Sequence, residues 1–142
     1  MNSNSEIETE QIALDFAKTL QKGDVVLLSG TLGAGKTQFV RGCVKFFNIN
    51  KNVSSPTFVI ENQYQGEDIL IRHIDLYRMS ILGGGSGILS EIDMLNLFDP
   101  DVIDNSLTFV EWGEEFESLQ SIFTKKIVIS IFDDSRQISF ID

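Results

Sequence analysis

The stretch Gly30-Thr31-Leu32-Gly33-Ala34-Gly35-Lys36-Thr37 fits the pattern G-x-x-x-x-G-K-[S/T], and no other feature limits the folds open to this chain so strongly. Glycines let backbone N–H groups curl around phosphate oxygens without Cβ clashes. That geometry needs a strand before the loop and a helix after it, with the helix N-terminus aimed at the anion. Both are present. Val25 to Ser29, "VVLLS", is a continuous apolar run typical of a buried parallel strand. After the loop, Phe39, Val40, Cys43, Val44 and Phe47 recur at helical spacing. In such a loop Lys36 reaches the β- and γ-phosphates of a nucleotide and the Thr37 hydroxyl binds Mg²⁺.

The other elements follow from periodicity. Thr9 is expected to cap a helix that carries Ala13, Phe16, Ala17 and Leu20 on one face and ends at Gly23. Thr57–Tyr64 and Asp68–Tyr77 read as a hairpin joined by a short turn. Leu107–Trp112 reads as a buried strand, and Glu114–Phe123 as a helix. "KIVISIF" and "QISFI" flank "DDSR" as a terminal hairpin. Between Met79 and Asp104 the glycine-rich stretch Gly83–Gly87 reads as a loop, with a short helix starting at Ser90. Strand, glycine loop, helix and further strands predict an α/β, P-loop NTPase-like three-layer sandwich with a central mixed β-sheet. The 142 residues suit a single domain, 1–142.

Composition narrows the function. No run approaches the roughly 18 apolar residues of a membrane span. Residues 1–10 are polar and acidic, unlike a secretory or transit segment. Cys43 is the one cysteine, which fits a reducing, cytoplasmic setting. A formal charge of −10 argues against tight unaided nucleic-acid binding, but not against acting on RNA through a partner that supplies positive charge.

A phosphate loop needs a second anchor for Mg²⁺, usually an acidic residue at the end of a neighbouring strand. Asp75 closes "ILIRHID" and Glu111 closes "LTFVE". One could hold the metal while the other orients the attacking water. "SSPTF", Ser54–Phe58, reads either as a plain turn or as a switch segment placing Thr57 near the γ-phosphate. His73 shares a strand face with Asp75 and either packs or tunes that carboxylate. Trp112 either stacks on a base or a partner, or packs, and Cys43 reads as core.

Two activities fit less well. A GTPase should carry N-K-x-D, and "NKNV", residues 50–53, fails at the last position. A small-molecule kinase usually closes an arginine-rich lid over its phosphates. Here Arg41, Arg72, Arg78 and Arg136 are the only arginines, and they are scattered. The residues therefore favour a small ATPase serving a partner, with Arg41 and Lys45 on the outer face of the loop's helix as a grip.

"GTLGAGKTQFVRG", "SPTF", "HIDLYR" and "VEW" occur in the order and approximate spacing of the TsaE (YjeE) family, so the chain from Thr9 through Trp112 resembles that family. The resemblance implies the ATPase component of the machinery that forms N6-threonylcarbamoyladenosine next to the tRNA anticodon. It implies TsaD and TsaB as partners, and contact with tRNA only through that complex. It implies ATP and Mg²⁺ as cofactors. Gly33 to Gln38 would wrap the phosphates, and Thr37 and Glu111 would serve Mg²⁺. Asp75 would be the carboxylate required for hydrolysis, Thr57 would lie in the switch-like loop, and Trp112 would sit close to the active centre. Ser5 and Arg136 fall in the N-terminal segment and terminal hairpin, which approach the adenine side in the family.

The chain departs from the family pattern where "ILGGGSGIL" follows "DLYR", and at Gly113, where proline is frequent. Two alternatives stand beside the main reading. One is a small-molecule phosphotransferase. The other is a nucleotide-gated binding module that does not hydrolyse ATP. Oligomeric state is left open.

Overall fold

The structure is a computed structural model that describes residues 1–31, 33–54, 60–77 and 95–141. Seven strands form one mixed sheet in the order β1-β7-β6-β2-β5-β4-β3. They are β1 (Asn2–Ser3), β2 (Val25–Ser29), β3 (Glu61–Gln65), β4 (Leu70–Asp75), β5 (Ser106–Glu111), β6 (Lys125–Phe132) and β7 (Ser135–Ile141). β2 pairs in parallel with β5 and β6, and β4 pairs in parallel with β5. The hairpins β3–β4 and β6–β7 and the short edge pair β1–β7 are antiparallel. Among the described residues, no helix is long and apolar enough to cross a membrane.

Side-chain alternation along the central strands divides the core in two. Val26, Leu28, Ile71, Leu107 and Phe109 lie in one cluster with Ala13, Phe39, Val40 and Cys43. These last belong to α1 (Glu6–Ala17) and α2 (Lys36–Phe46). Val25, Ile74 and Val110 lie in the second cluster with Phe98, Ile103 and Leu119. Ile103 comes from α3 (Pro100–Asp104), a short helix that periodicity did not predict. Asp99 caps it by accepting from the Asp101 N–H, with Pro100 in its first turn. Apolar layers on both faces of a mixed sheet make the expected three-layer sandwich.

Helix α1 starts earlier than expected. Ser5, not Thr9, is the N-cap and accepts from the Glu8 N–H at 3.1 Å, while Glu8 accepts from the Asn4 N–H. Ser5-x-x-Glu8 is a capping-box spacing, set in a first turn too polar for hydrophobic periodicity to register. Thr9 is fully buried inside the helix. The helix ends at Ala17 rather than Gly23, which sits with φ 94° in the turn before β2.

α1 and α2 meet at Gly42. A Cβ there would lie 2.5 Å from the Glu10 carbonyl oxygen and 2.7 Å from Ala13 Cβ. Alanine favours a helix interior over glycine by about 1 kcal/mol. Overpacking against backbone costs about 1–3 kcal/mol. Gly42→Ala is therefore expected to lower the urea midpoint, and an unchanged or higher midpoint contradicts this packing account.

The expected helix over Glu114–Phe123 is instead two 3₁₀ turns, Gly113–Glu115 and Glu117–Leu119. Phe116 breaks the run with extended backbone at φ −113° and ψ 101°. The Gln120 amide then donates to the carbonyls of Gly113 and Phe116. Gly113 is pinned by packing, because a Cβ would meet Phe123 at 2.7 Å. The Gly83–Gly87 loop and the start of the helix expected from Ser90 lie outside the described residues.

Candidate functional site

β2 runs straight into the glycine loop. Gly30, Gly33 and Gly35 have φ of 156°, 80° and 107°, in the region that favours glycine. At Gly30 the loop crosses β6 so closely that a Cβ would lie 2.4 Å from the Ile129 carbonyl oxygen. At Gly33 a Cβ would meet nothing within 4 Å, so the crest of the loop faces open space. Ala34 is buried, and its N–H donates to Thr31 O. Helix α2 begins at Lys36 with Gly35 as N-cap, and no side chain caps it. Its first turn thus presents backbone N–H donors that no capping side chain satisfies, a ready anion site. The arrangement fits the phosphates of a nucleotide.

Lys36 is buried at the loop's base, with 5% of its side chain exposed. Its Nζ donates to Gly30 O at 2.8 Å, stands 3.7 Å from Glu111 Oε1, and sits 4.3 Å from the centre of the Trp112 ring. Thr37 is half-buried one residue further along the same turn. Trp112 adopts φ 63°, and its ring also packs on Tyr77 at 4.8 Å. Lys36 thus lies over the ring, and Tyr77 packs on it at a tilt of 53°.

Asp75 and Glu111 each close their strand and are opposite one another in the β4–β5 register. Both are 3% exposed. They share parity with Ile71, Leu107 and Phe109, so their side chains fall on the face that carries α2 and the glycine loop. Asp75 Oδ1 accepts from the Tyr77 N–H at 2.8 Å. His73 lies on this face as well, but its Nε2 bonds to Glu111 Oε2, not to Asp75. The carboxylate that the histidine touches is therefore the one across the strand pair, two residues beyond its own register partner, Phe109.

Thr57 lies outside the described residues. At the described end of its segment, Ile60 takes φ 71° and accepts from the Asp75 N–H at 2.8 Å. At Ile60 the chain thus lies beside Asp75.

The terminal hairpin brings Arg136 to the loop. A Cβ on Gly35 would lie 2.9 Å from the Arg136 Nη1, which also donates to Thr9 Oγ1 at 3.1 Å. Phe140 stacks on Phe16 at 4.9 Å and holds β7 to α1, while β1 pairs Ser3 with Arg136. Ser5 is less favourably placed, since its hydroxyl is occupied in capping α1. Gln38 accepts from Arg41 at 2.6 Å, and Arg41 also donates to Val53 O. Lys45 pairs with Glu10 at 3.3 Å. The outer face of α2 therefore offers less of a grip than the sequence suggested, with Arg41 drawn in and Lys45 58% exposed. Arg72 is buried on Glu61 and Leu97 O, so Arg136 is the one described arginine placed against the loop. Cys43 is core, and burial pushes its thiol far above the ordinary range.

Sequence reasoning missed Glu114. Burial raises its carboxyl above the usual carboxylate value, although its own backbone N–H, a hydrogen bond with Ser29 and the Lys36 charge pull the other way. Its Oε2 is buried and has no hydrogen-bond partner among the described residues. The available signal was a third carboxylate following "VEWG" at the end of β5. A raised pKa in the folded state means the native protein binds more protons, so this group lowers stability as pH rises through that value. Glu114→Gln should raise the melting midpoint at neutral pH, with the gain vanishing below the carboxylate range. A gain that persists in acid contradicts that origin.

A sequence model described as threonylcarbamoyl adenosine biosynthesis protein TsaE matches residues 3–138. The "tRNA threonylcarbamoyladenosine biosynthesis protein TsaE" of Rickettsia bellii is 33% identical over 136 residues, covering 95% of this chain and 88% of its own length. The protein of that name from Streptomyces coelicolor is 43% identical over 102 residues, 70% of this chain and 63% of its own. The crystal structure of a Bacillus protein, YdiB, aligns with a TM-score of 0.72 at 29% identity, over 99% of this chain and 82% of that one.

Proposed function

The chain belongs to the TsaE family of threonylcarbamoyl adenosine biosynthesis proteins, and from that premise we propose that it is a Mg²⁺-dependent ATPase acting with TsaD and TsaB in tRNA modification. Membership of the family places it in threonylcarbamoyladenosine biosynthesis. The observation that carries the finer reading is the convergence of Lys36, Glu111 and Asp75 at the uncapped start of α2.

In this reading the loop N–H groups from Gly33 to Gln38 bind phosphate oxygens, and Lys36 exchanges its internal partners for the β- and γ-phosphates. Gly30 lets the loop turn away from β6. Arg136 covers the loop from the hairpin side, with Ser5 the weaker candidate there and Trp112, beside Lys36, a weaker candidate for contact with nucleotide. The donors available for a metal are oxygens, namely the Thr37 hydroxyl and the carboxylates of Glu111 and Asp75. That set fits a hard divalent cation. Among the described residues no cluster of three or more His, Cys, Asp or Glu side chains is arranged to hold a metal. A set of one hydroxyl and two carboxylates suits Mg²⁺, which is typically bound by one or two carboxylates together with substrate phosphates and water. When bound, Mg²⁺ neutralises charge on the phosphate oxygens. Asp75 orients and deprotonates the attacking water, and Thr57 contributes from the switch-like segment.

The formal net charge of −10 leaves tRNA contact to the partners. The test is phosphate release by the purified chain with Mg²⁺, alone and with TsaD and TsaB added. Slow release alone and strong stimulation by the pair are expected. Nucleotide binding without turnover in the full assembly would overturn the ATPase reading in favour of a passive gate. Release driven by a small molecule alone would point to a phosphotransferase.

A further inference from the structure

We infer that His73 is a positioning residue for Glu111, fixing the carboxylate that faces the metal side of the phosphate loop; this rests on the ATPase reading above. His73 is fully buried at 0% exposure on the sheet face that holds Ile71, Leu107 and Phe109 and ends in Asp75 and Glu111. Its Nε2 bonds to Glu111 Oε2, whereas its Nδ1 is buried and has no hydrogen-bond partner. Among the described residues the bond to Glu111 is the ring's one polar contact, and with a carboxylate as acceptor the ring donates from Nε2. A leucine would fill this position without an orphaned ring nitrogen, whose burial costs about 1–3 kcal/mol.

The two oxygens of Glu111 are held from opposite sides, Oε2 by His73 and Oε1 by Lys36 at 3.7 Å. Lys36 also has Gly30 O and the Trp112 ring as partners, and it is the group that phosphates would draw away. His73 sits on a central strand between β3 and β5 and has no comparable freedom. Once Lys36 turns to phosphate, His73 is the remaining fixed donor on Glu111. It keeps the carboxylate plane oriented when the lysine leaves.

His73→Leu removes an orphaned ring nitrogen but also takes the donor from the buried Glu111 carboxylate, so its melting midpoint should stay near or fall below that of wild type, and the discriminating readout is the Mg²⁺ response of the folded variant. Outer-shell partners of metal ligands typically alter metal affinity by about 10–100-fold. The Mg²⁺ concentration giving half-maximal ATP binding, read by calorimetry, should therefore rise by about 10-fold or more. ATP affinity without metal should be unchanged. His73→Gln, which places an amide N–H near the position of Nε2, should recover most of the Mg²⁺ response. Should the leucine variant fail to fold, His73→Met tests the same loss.

Wild-type protein whose ATP binding ignores Mg²⁺ would remove the ATPase reading itself. Wild-type protein that responds to Mg²⁺, beside a folded leucine or methionine variant with the same response, would overturn the role of His73 alone. A glutamine variant as impaired as leucine would also overturn it, since the bond would then not be what matters.

Discussion

Lys36→Ala loses ATP affinity by at least about 100-fold. Hydrogen bonds to charged groups contribute about 1.5–3 kcal/mol each, and this ammonium would meet two phosphates. The variant also leaves Glu111, itself 3% exposed, without its nearest cation. Removing one partner of a buried ion pair typically costs about 3–5 kcal/mol. The measurement therefore couples calorimetry with a circular dichroism check that the variant remains folded at the binding temperature. A folded variant with an unaltered dissociation constant contradicts the role assigned to Lys36.

Asp75→Asn separates binding from chemistry. Asparagine keeps the side chain's size and can still accept from the Tyr77 N–H through its amide oxygen. It removes the charge that would take a proton from water. General-base catalysis contributes about 10²–10⁴-fold, so hydrolysis in the stimulated assembly should fall by that order. ATP affinity should change little. Hydrolysis within a few-fold of wild type would move the catalytic role to Glu111 or to a residue supplied by a partner.

Much of this architecture was legible because its signals are short-range. "VVLLS" before a glycine loop and apolar residues at helical spacing after it set β2 and α2 where they are found. The strand-ending positions of Asp75 and Glu111 were readable from where each apolar run stops. Their placement opposite one another was not, since it depends on the β4–β5 register. The same dependence hid the partner of His73. Strand parity correctly put it on the face of Asp75, but only the neighbouring strand brings Glu111 within reach.

Elsewhere hydrogen bonding outweighed periodicity. The polar first turn of α1 is set by Ser5 and Glu8, which an apolar pattern overlooks. Beyond Trp112, the residues Phe116, Leu119, Ile122 and Phe123 have helix-like spacing. They pack against the second core cluster through 3₁₀ turns and a Gln120 side chain that takes up two carbonyls. Glu114 went unnoticed for the same reason, because assigning it to a helix concealed its approach to Ser29 and Lys36. Arg136 is distant from the glycine loop in sequence and reaches it through the β6–β7 hairpin, the β1–β7 edge and the Phe16–Phe140 stack.

The central claim is that the glycine loop, Lys36 and the paired strand ends form one Mg²⁺·ATP site. Calorimetric titration of ATP into the purified chain, with Mg²⁺ and with a chelator, tests it most directly. The account predicts saturable binding with one nucleotide per chain, strengthened by Mg²⁺ and lost in folded Lys36→Ala. No saturable binding to the folded wild-type chain, or binding that Lys36→Ala leaves intact, contradicts it.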